Sequence, residues 1–442
     1  MSLKTNFQRK KFWISDFLRG SQMWKQYKEI GYLAENQEGG GRFDYISNML
    51  SFIVANIPYY KGFDASNLMN FPVINKKTII DNYESMLTPQ DKIPGQRGAI
   101  HIQKTSGSTG TPFAVPQDTV CRIRRVATIK YLNEALAFHS FDPMIHLRSF
   151  KHYYNYGEGK EWVKYNKTTN IYYVNNAEFD DERADKVIRL INDKRIKLIR
   201  GYMTTIDSLT RYAVSHQLEL RYKPSFISCG ELLPESLRKR IVEELHCRVV
   251  SQYANEENGV LGQSIINGPG STILLHNANC IIEILKFDKD EPAEKGELGR
   301  IVVTDFINHA LPMIRYDIGD VGAIGEVLEN GLITRIDNLS GRKSDIVYKP
   351  NGEYIDVFNS ISSNIYNSFD VLQWQFVQTG SDSYTLKIVP ANKQVKPNAS
   401  VYLDMMHKLL GEEANIKIEF PDEIPVLSSG KRKVVINEYK KS

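Results

Sequence analysis

Short apolar runs alternate with helical patterns between residues 98 and 337, and this alternation restricts the possible folds most. IKLIRGY is followed by PSFISCG and then by CRVVSQYA, each rich in β-branched or aromatic residues. A helical pattern beginning near Pro234 places Leu237, Ile241 and Leu245 on one face between the last two runs. Strands that alternate with helices pack as layers, so the sequence predicts a layered α/β core here.

The segments on either side of this core have other patterns. The first hundred residues are helical pieces broken by turns, which indicates a cover or a substrate-facing region. The runs GELGRIVVTDF, LPMIRYDIGDVGAI and LENGLITRI alternate like strands and predict a β-rich subdomain. After Asn338 a turn-rich joint precedes two strands, a helix and another strand. We therefore predict an α/β protein with a large N-terminal domain, made of layered α/β subdomains plus the β-rich one, and a small mobile α+β C-terminal domain.

Composition and charge exclude several classes of protein. The 442 residues, 42% of them hydrophobic, suffice for about three folded units and exclude wholesale disorder. The 56 Lys and Arg residues exceed the 52 Asp and Glu residues by only 4, too few for a dedicated nucleic-acid-binding protein. The four cysteines form no metal-ligand or disulfide pattern. No apolar run approaches the roughly 18 residues of a membrane span, so we expect a cytoplasmic protein without membrane insertion.

The segment KTSGSTGTP, residues 104–112, combines two glycines with five hydroxyl residues between Thr105 and Thr111. Glycines let backbone amides approach a ligand closely, and hydroxyls donate hydrogen bonds, as a phosphate-binding loop requires. The segment is not a Walker P-loop, because Thr111 rather than lysine follows Gly110. Taken alone, such a loop is more often an ordinary surface turn.

Three further segments carry charged residues beside turns. Asp320 ends RYDIGD, Glu256 and Glu257 lie in SQYANEENG, and Lys431 follows a glycine in SSGKRK. One carboxylate beside a turn can bind ribose hydroxyls, another can hold Mg²⁺, and a mobile lysine can neutralise phosphate charge. The alternatives are an exposed turn aspartate, a surface acid and a solvated basic tail.

The order and spacing of these segments resemble the acyl-adenylate-forming superfamily, the AMP-binding enzymes that include acyl-CoA synthetases, adenylation domains and luciferases. The resemblance covers about residues 50 to 435 and rests on a phosphate loop (TSGSTGTP), a magnesium segment (YANEE), a ribose motif (RYDIGD), a hinge (SGRKSD) and a lysine loop (SSGK). IPYYK, FPVINKKTIIDNYESM, RGYMTTIDSL and LPMIRYDIGD are most similar to the branch of phenylacetate-CoA ligases, capsular-polysaccharide ligase-like proteins and deazaflavin-coenzyme adenylyltransferases.

The resemblance implies a set of phosphate-binding and catalytic residues. Glu257 would coordinate Mg²⁺, with Glu256 as the alternative ligand, and Lys431 would lie over the α-phosphate and the carboxylate. The catalytic residues would be Lys431, Glu257 and Thr109. The loop that binds the β- and γ-phosphates would consist of Thr105, Ser106, Gly107, Ser108, Thr109 and Gly110.

The resemblance also implies the surroundings of the nucleoside. Tyr253 would pack near the adenine and the acyl-phosphate, Asp320 would bind the ribose, and Arg342 would reach ribose or phosphate. Gly230 and Glu231, in ISCGELLPES, match a strand end that lines the acyl or adenine pocket. For Glu231 a place at a helix start is the alternative.

The hinge motif divides the chain into a large AMP-binding domain at 1–341, a hinge at 342–345 and a small lid domain at 346–442. Ser344 stands at the hinge position, where relatives have Asp or Lys. A serine can serve there because a hinge needs tolerant dihedral angles more than a particular charge. Phe113 replaces the lysine that many relatives place after the loop proline, so a phosphate or carboxylate contact would be missing there.

The resemblance implies a two-step ligation. A carboxylate attacks the α-phosphorus of ATP, pyrophosphate leaves with Mg²⁺, and the acyl-adenylate then reacts with a nucleophile, for which CoA is the first expectation. The alternatives are amide or ester ligation in polysaccharide biosynthesis, AMP transfer to a cofactor hydroxyl, and a non-catalytic nucleotide-binding role. The expected partners are a small carboxylic acid, ATP and the acceptor, and the branch suggests a homodimer.

Overall fold

The computed structural model describes residues 3–104, 113–150, 162–177, 179–343, 346–355, 357–365, 371–390, 397–425 and 433–439. Its dominant element is a sheet of 13 strands, numbered in chain order. One short strand, β1 (Ile74–Asn75), pairs with β14 outside the main row. From edge to edge the row contains β12 (Cys280–Leu285), β13 (Leu298–Asp305), β14 (Tyr316–Val327), β15 (Ile333–Arg342), β11 (Ile273–Leu275), β10 (Gly259–Ser264), β9 (Val249–Asn255), β8 (Ser225–Cys229), β7 (Leu198–Gly201), β4 (Met144–Arg148), β6 (Ile171–Asn175) and β5 (Val163–Asn166).

The strands β6, β4, β7, β8 and β9 are parallel neighbours and form the predicted α/β core. Parallel strands need crossovers, which are supplied by α7 (Asp181–Asp193), α8 (Met203–Ser215) and α9 (Glu235–Lys239). The helix α9 follows Pro234, continues as a π-helical turn to Glu244, and buries Leu237 and Ile241. The apolar faces of these helices share one buried core with the strands, so both the layered core and the helix after Pro234 are confirmed.

The predicted β-rich subdomain is present, and its strands extend the same row of the large sheet. β9 turns back into antiparallel β10, and β11 pairs with β10 on one side and with β15 on the other. An open edge at β10 would leave backbone N–H and C=O groups unpaired, and β11 satisfies them. The strands β13 to β15 therefore lie in hydrogen-bonded continuity with the parallel strands.

The N-terminal region is helical, as predicted. None of the helices in the described ranges is long and apolar enough to cross a membrane. The hairpin of β2 (His101–Lys104) and β3 (Ala114–Gln117) connects this region to α6 (Thr119–Glu134). The helices are α1 (Leu3–Leu18), α2 (Gln22–Glu35), α3 (Gly41–Asn56), α4 (Lys76–Asp81) and α5 (Tyr83–Met86), with 3₁₀ turns at Pro58–Tyr60, Leu68–Asn70 and Gln90–Lys92.

Arg42, on α3, joins the N-terminal helices to the loop between β11 and β12. Its side chain is fully buried. Nε donates to the carbonyl of Asn277 at 2.8 Å, while Nη1 donates to Gln37 at 2.8 Å and Nη2 to Leu33 at 2.7 Å. Since these acceptors are backbone carbonyls, removing the guanidinium deprives two buried acceptors and one part-buried acceptor of these donors.

The substitution Arg42→Met is expected to lower the free energy of unfolding by about 4 kcal/mol, because methionine fills part of the space but donates no hydrogen bond. Urea unfolding followed by circular dichroism measures the loss. Arg221→Met, at an exposed arginine, is the matched control and should stay within about 0.5 kcal/mol of the parent. Equal stability of the two variants would contradict the anchoring role of Arg42.

The residues after 346 form a smaller α+β unit, as predicted. Its sheet has the order β20, β19, β18, β21, with bounds Asn415–Glu419, Ser383–Pro390, Val371–Gln378 and Val435–Asn437. The helices α10 (Val357–Ile365) and α11 (Ala399–Leu410) and the hairpin of β16 (Val347–Tyr348) and β17 (Tyr354–Ile355) complete it. Among the described residues, the buried core of this unit lies between Val347 and Ala414 and includes Trp374, Phe376 and Met406.

Candidate active site

Asp320, Arg342 and Tyr253 meet where three strands of the large sheet approach one another. Asp320 on β14 lies directly opposite Arg342 on β15 in the strand register. The Arg342 Nε lies 3.1 Å from Asp320 Oδ1, and the Tyr253 hydroxyl donates to Asp320 Oδ2 at 2.9 Å. The side chain of Asp320 is 15% exposed and that of Arg342 is 40% exposed, so the ion pair is open to a ligand on one side. A carboxylate accepts hydrogen bonds at about four positions, which is the chemistry that neighbouring hydroxyl groups of a ligand require.

The turn before Asp320 fixes this arrangement. Gly319 has φ of 78°, a left-handed conformation that favours glycine. The Arg342 Nη1 donates to the carbonyl of Ile318 at 2.7 Å and lies 3.4 Å from the position that a Cβ on residue 319 would take. The glycine in RYDIGD therefore both shapes the turn and admits the guanidinium.

Asp320 influences the ionisation of both Tyr253 and Arg342. Burial, followed by the charge and hydrogen bond of Asp320, raises the pKa of Tyr253 well above its ordinary value. The Asp320 charge is also the main cause that raises the pKa of Arg342. Tyr253 thus stays a neutral donor and Arg342 a cation throughout the working pH range.

The turn between β9 and β10 presents the two candidate acids differently. Glu256 is exposed and accepts a hydrogen bond from Gln103 Nε2 at 2.8 Å. Glu257 is half-buried, and burial raises the pKa of its carboxyl while the Arg342 and Lys76 charges oppose that shift. The Arg125 guanidinium donates to the backbone carbonyls of both acids and so holds the turn in place. Glu257 therefore interacts with the cations of the Asp320 cluster, whereas Glu256 is directed to β2.

Lys76 is a cation of this site that the sequence motifs did not reveal. Asn75 and Thr78 form a capping box at the start of α4, and β1 pairs with β14 beside Tyr316, which brings Lys76 to the site. Burial, with the Arg342 charge, lowers the pKa of Lys76, and Glu257 opposes the shift. Its Nζ lies 5.5 Å from the centre of the Phe113 ring. A lysine from another element thus lies beside Phe113, the position at which the sequence resemblance leads one to expect a lysine.

Gly230 and Glu231 follow β8, one strand away from Tyr253. Cys229 pairs with Gln252 in the register, so the two residues continue alongside the end of β9. Gly230 has φ of 76°, which turns the chain sharply. Glu231 Oε2 accepts from the backbone N–H of Thr204 at 3.1 Å, in the first turn of α8. A carboxylate is favourable at a helix N-terminus. Glu231 therefore does lie at a helix start, but the helix is α8 and not α9, which follows Glu231 in the chain.

Several predicted residues lie outside the described ranges. These are the phosphate loop, Thr105 to Gly110, the hinge residue Ser344 and the catalytic lysine Lys431. β2 and β3 flank the loop as an antiparallel pair in which Lys104 lies opposite Ala114. The structure therefore brings together Tyr253, Asp320 and Arg342, with Glu257 and Lys76 in electrostatic contact.

Comparison with known proteins gives consistent relatives. A family model described as the CapK C-terminal domain matches residues 347–438. Protein CapK of Staphylococcus aureus is 24% identical over 431 residues, which are 94% of this chain and 92% of that protein. Phenylacetate-coenzyme A ligase of Pseudomonas putida is 23% identical over 385 residues, 85% of this chain and 77% of that protein.

A solved structure shows the same fold. The 2-hydroxyisobutyryl-CoA ligase, in the postadenylation state in complex with R3-HIB-AMP, superposes with a TM-score of 0.67 at 14% identity, over 90% of this chain and 89% of that one. The chain is thus similar to CapK and to phenylacetate-coenzyme A ligase along most of its length, and it shares its fold with 2-hydroxyisobutyryl-CoA ligase.

Proposed function

We propose that the chain is an ATP-dependent, AMP-forming ligase that activates a carboxylic acid as its acyl-adenylate and passes the acyl group to CoA. The observation that carries the proposal is the contact of Asp320 with both Tyr253 and Arg342. It fits a ribose, because a carboxylate on the side of an ion pair that is open to a ligand accepts hydrogen bonds from hydroxyl groups. The acyl-AMP bound by the structural relative supports the same reading.

The first step joins two anions, so the site must supply positive charge and alignment. An oxygen of the carboxylate forms a bond to the α-phosphorus, and the bond from that phosphorus to the bridging oxygen of pyrophosphate breaks. Arg342 and Lys76, which both lie among the described residues, supply positive charge. Lys431 is proposed to add a third cation. The phosphate loop, Thr105 to Gly110, is proposed to hold the leaving pyrophosphate.

A divalent cation fits the donors at this site. Among the described residues no group of three or more His, Cys, Asp and Glu side chains could enclose a metal ion. Mg²⁺ is commonly held by one or two carboxylates together with substrate phosphates, and the half-buried Glu257 carboxylate is an oxygen donor of this kind. Glu257 would hold Mg²⁺, which when bound neutralises charge on the phosphates.

The substitution Glu257→Gln is expected to raise the Mg²⁺ concentration needed for half-maximal pyrophosphate exchange by about tenfold or more, because a neutral amide oxygen is a weaker ligand for a hard cation. Glu256→Gln is the matched control and should change it less than about twofold, since its carboxylate is exposed. A titration of Mg²⁺ at fixed ATP measures both. A larger effect at Glu256 would reassign the ligand.

The acceptor in the second step is proposed to be CoA because both a curated relative and the structural relative are named as CoA ligases. One observation favours a second candidate, an amine or sugar hydroxyl: residues 347–438 match the family model described as the CapK C-terminal domain. In either case the acceptor atom bonds to the acyl carbon, AMP leaves, and the acceptor proton is released. Acid-dependent loss of the CoA thiol distinguishes the two.

The division into 1–341, a hinge at 342–345 with Ser344, and 346–442 is part of the proposal. The hinge would let the small unit deliver Lys431 in the first step and withdraw it before the second. The cytoplasm is the proposed compartment, and a homodimer the proposed assembly.

The test of the activity is ATP–pyrophosphate exchange with purified protein, Mg²⁺ and a panel of aryl, short-chain, hydroxy and amino acids. We expect exchange that depends on one class of acid. Absence of exchange with every acid, together with stable AMP transfer to a hydroxyl compound, would contradict acid activation and favour nucleotidyl transfer.

A further inference from the structure

The helix α1 presents an outer face of apolar and basic side chains. Phe7, Ile14, Phe17 and Leu18 are 68%, 59%, 73% and 78% exposed. At about 100° per residue these positions, with the exposed Lys10 and Lys11, fall within an arc of about 120°. A contiguous exposed apolar surface of this kind marks an interaction site.

The opposite face of α1 fixes the helix in this orientation. The Phe12 ring packs edge-on against Phe141 at 5.7 Å, and the Trp13 ring against Trp24 at 5.3 Å. The Arg9 side chain donates to the carbonyl of Ser140 at 3.2 Å. The apolar outer face cannot turn inward without breaking these contacts, so its exposure belongs to the folded state.

Most charged residues of this segment are basic. Three exposed cations lie on α1 or directly after it and two more lie on α2, while Asp16 is the one acid in the sequence between residues 5 and 28. The Asp16 carboxylate accepts hydrogen bonds from the backbone N–H groups of Met23 and Trp24, both at 2.9 Å, and so serves the start of α2. The exposed cations are Lys10, Lys11, Arg19, Lys25 and Lys28.

We propose that this face binds the surface of an anionic lipid bilayer, with α1 lying in the plane of the headgroups. Its apolar side chains would enter the boundary between headgroups and acyl chains, and the cations would pair with lipid phosphates. A second copy of the chain is a poorer occupant, because a two-fold interface would bring like charges together. The inference goes beyond the proposed ligase activity and does not depend on it.

Co-sedimentation of the full chain with lipid vesicles tests the proposal. Vesicles of phosphatidylcholine alone are compared with vesicles of equal parts phosphatidylcholine and phosphatidylglycerol. We expect binding to the anionic vesicles to be tighter by about tenfold or more, and to weaken as salt is added. Equal binding to both compositions, or binding to neither, would overturn the proposal.

Two double variants separate the apolar and ionic contributions. One variant combines Phe7→Ser with Phe17→Ser, and the other combines Lys10→Gln with Lys11→Gln. Each should weaken vesicle binding about tenfold. Thermal unfolding should stay unchanged, because the replaced side chains are exposed. The control is the double variant Leu372→Ser with Val401→Ser, which replaces two apolar side chains outside α1. These side chains are 45% and 60% exposed, and the variant should bind like the parent.

Undiminished binding by both α1 variants would overturn the proposal. So would a dimer, seen by size-exclusion chromatography, that the Phe7 and Phe17 changes dissociate while the parent binds no vesicles. That result would assign the face to contact between copies of the chain.

Discussion

Replacing Asp320 with alanine is expected to reduce acid-dependent pyrophosphate exchange by about 100-fold, mainly through weaker ATP binding. The change removes the acceptor of two donors, Tyr253 Oη at 2.9 Å and Arg342 Nε at 3.1 Å. Charge-assisted hydrogen bonds contribute about 1.5–3 kcal/mol each, and about 1.4 kcal/mol corresponds to a factor of ten. Loss of the proposed ribose contact, together with an Arg342 left without its carboxylate, would therefore lower exchange by about two factors of ten.

The ionisation of the cluster makes this prediction specific to the carboxylate. Because the pKa of Tyr253 is raised, the phenol stays protonated and cannot replace the lost negative charge. Asp320→Asn should recover only part of the ATP binding, since its amide oxygen can accept from one donor but carries no charge. Tyr253→Phe should cost about tenfold, because it removes one hydrogen bond and leaves the ion pair intact.

The control is Glu326→Gln, on the same strand, whose side chain is 53% exposed. It should leave both exchange and ATP binding within about twofold of the parent. Isothermal titration with ATP and a thermal unfolding curve for each variant separate binding from stability. An Asp320→Ala protein that folds normally and binds ATP like the parent would remove Asp320 from the nucleotide site.

The sequence predicted the members of this cluster better than their pairing. Asp320 and Arg342 each belong to a motif, but what places them opposite each other is the register of β14 and β15. That register shifts at three places along the two strands, and such irregularities leave no reliable mark in a residue pattern. Motif spacing could therefore name both residues and could not predict a 3.1 Å contact.

Residues that reach the site through tertiary packing were missed for the same physical reason. The pattern at Asn75 and Thr78 is typical of a helix start, yet the short strand before it pairs with β14, far along the chain. Arg125 lies in the middle of α6 and contacts the turn of Glu257 only because that helix packs beneath it. Local periodicity predicts the elements, whereas contacts between distant elements depend on the whole fold.

The second large effect is expected from Lys431→Ala, which should lower the rate of pyrophosphate exchange about 100-fold to 1,000-fold while ATP still binds. Losing one preorganised electrostatic contact at a transition state costs about 3–4 kcal/mol, and two reacting anions make this site depend strongly on such a contact. ATP binding persists because Asp320, Arg342 and Lys76 are unchanged. Titration with ATP and exchange at saturating ATP measure the two quantities separately.

Lys433→Ala provides the matched control within the same basic run. The backbone carbonyl of Lys433 accepts a hydrogen bond from Gln375 Nε2 at 2.7 Å, which the substitution retains. Its exchange rate should remain within about twofold of the parent. If Lys431→Ala behaves like this control, then SSGKRK is a solvated basic tail, and Arg342 and Lys76 must supply the positive charge for adenylation by themselves. If only Lys431→Ala fails in exchange, the C-terminal unit takes part in the chemistry, and the hinge at 342–345 becomes a functional element.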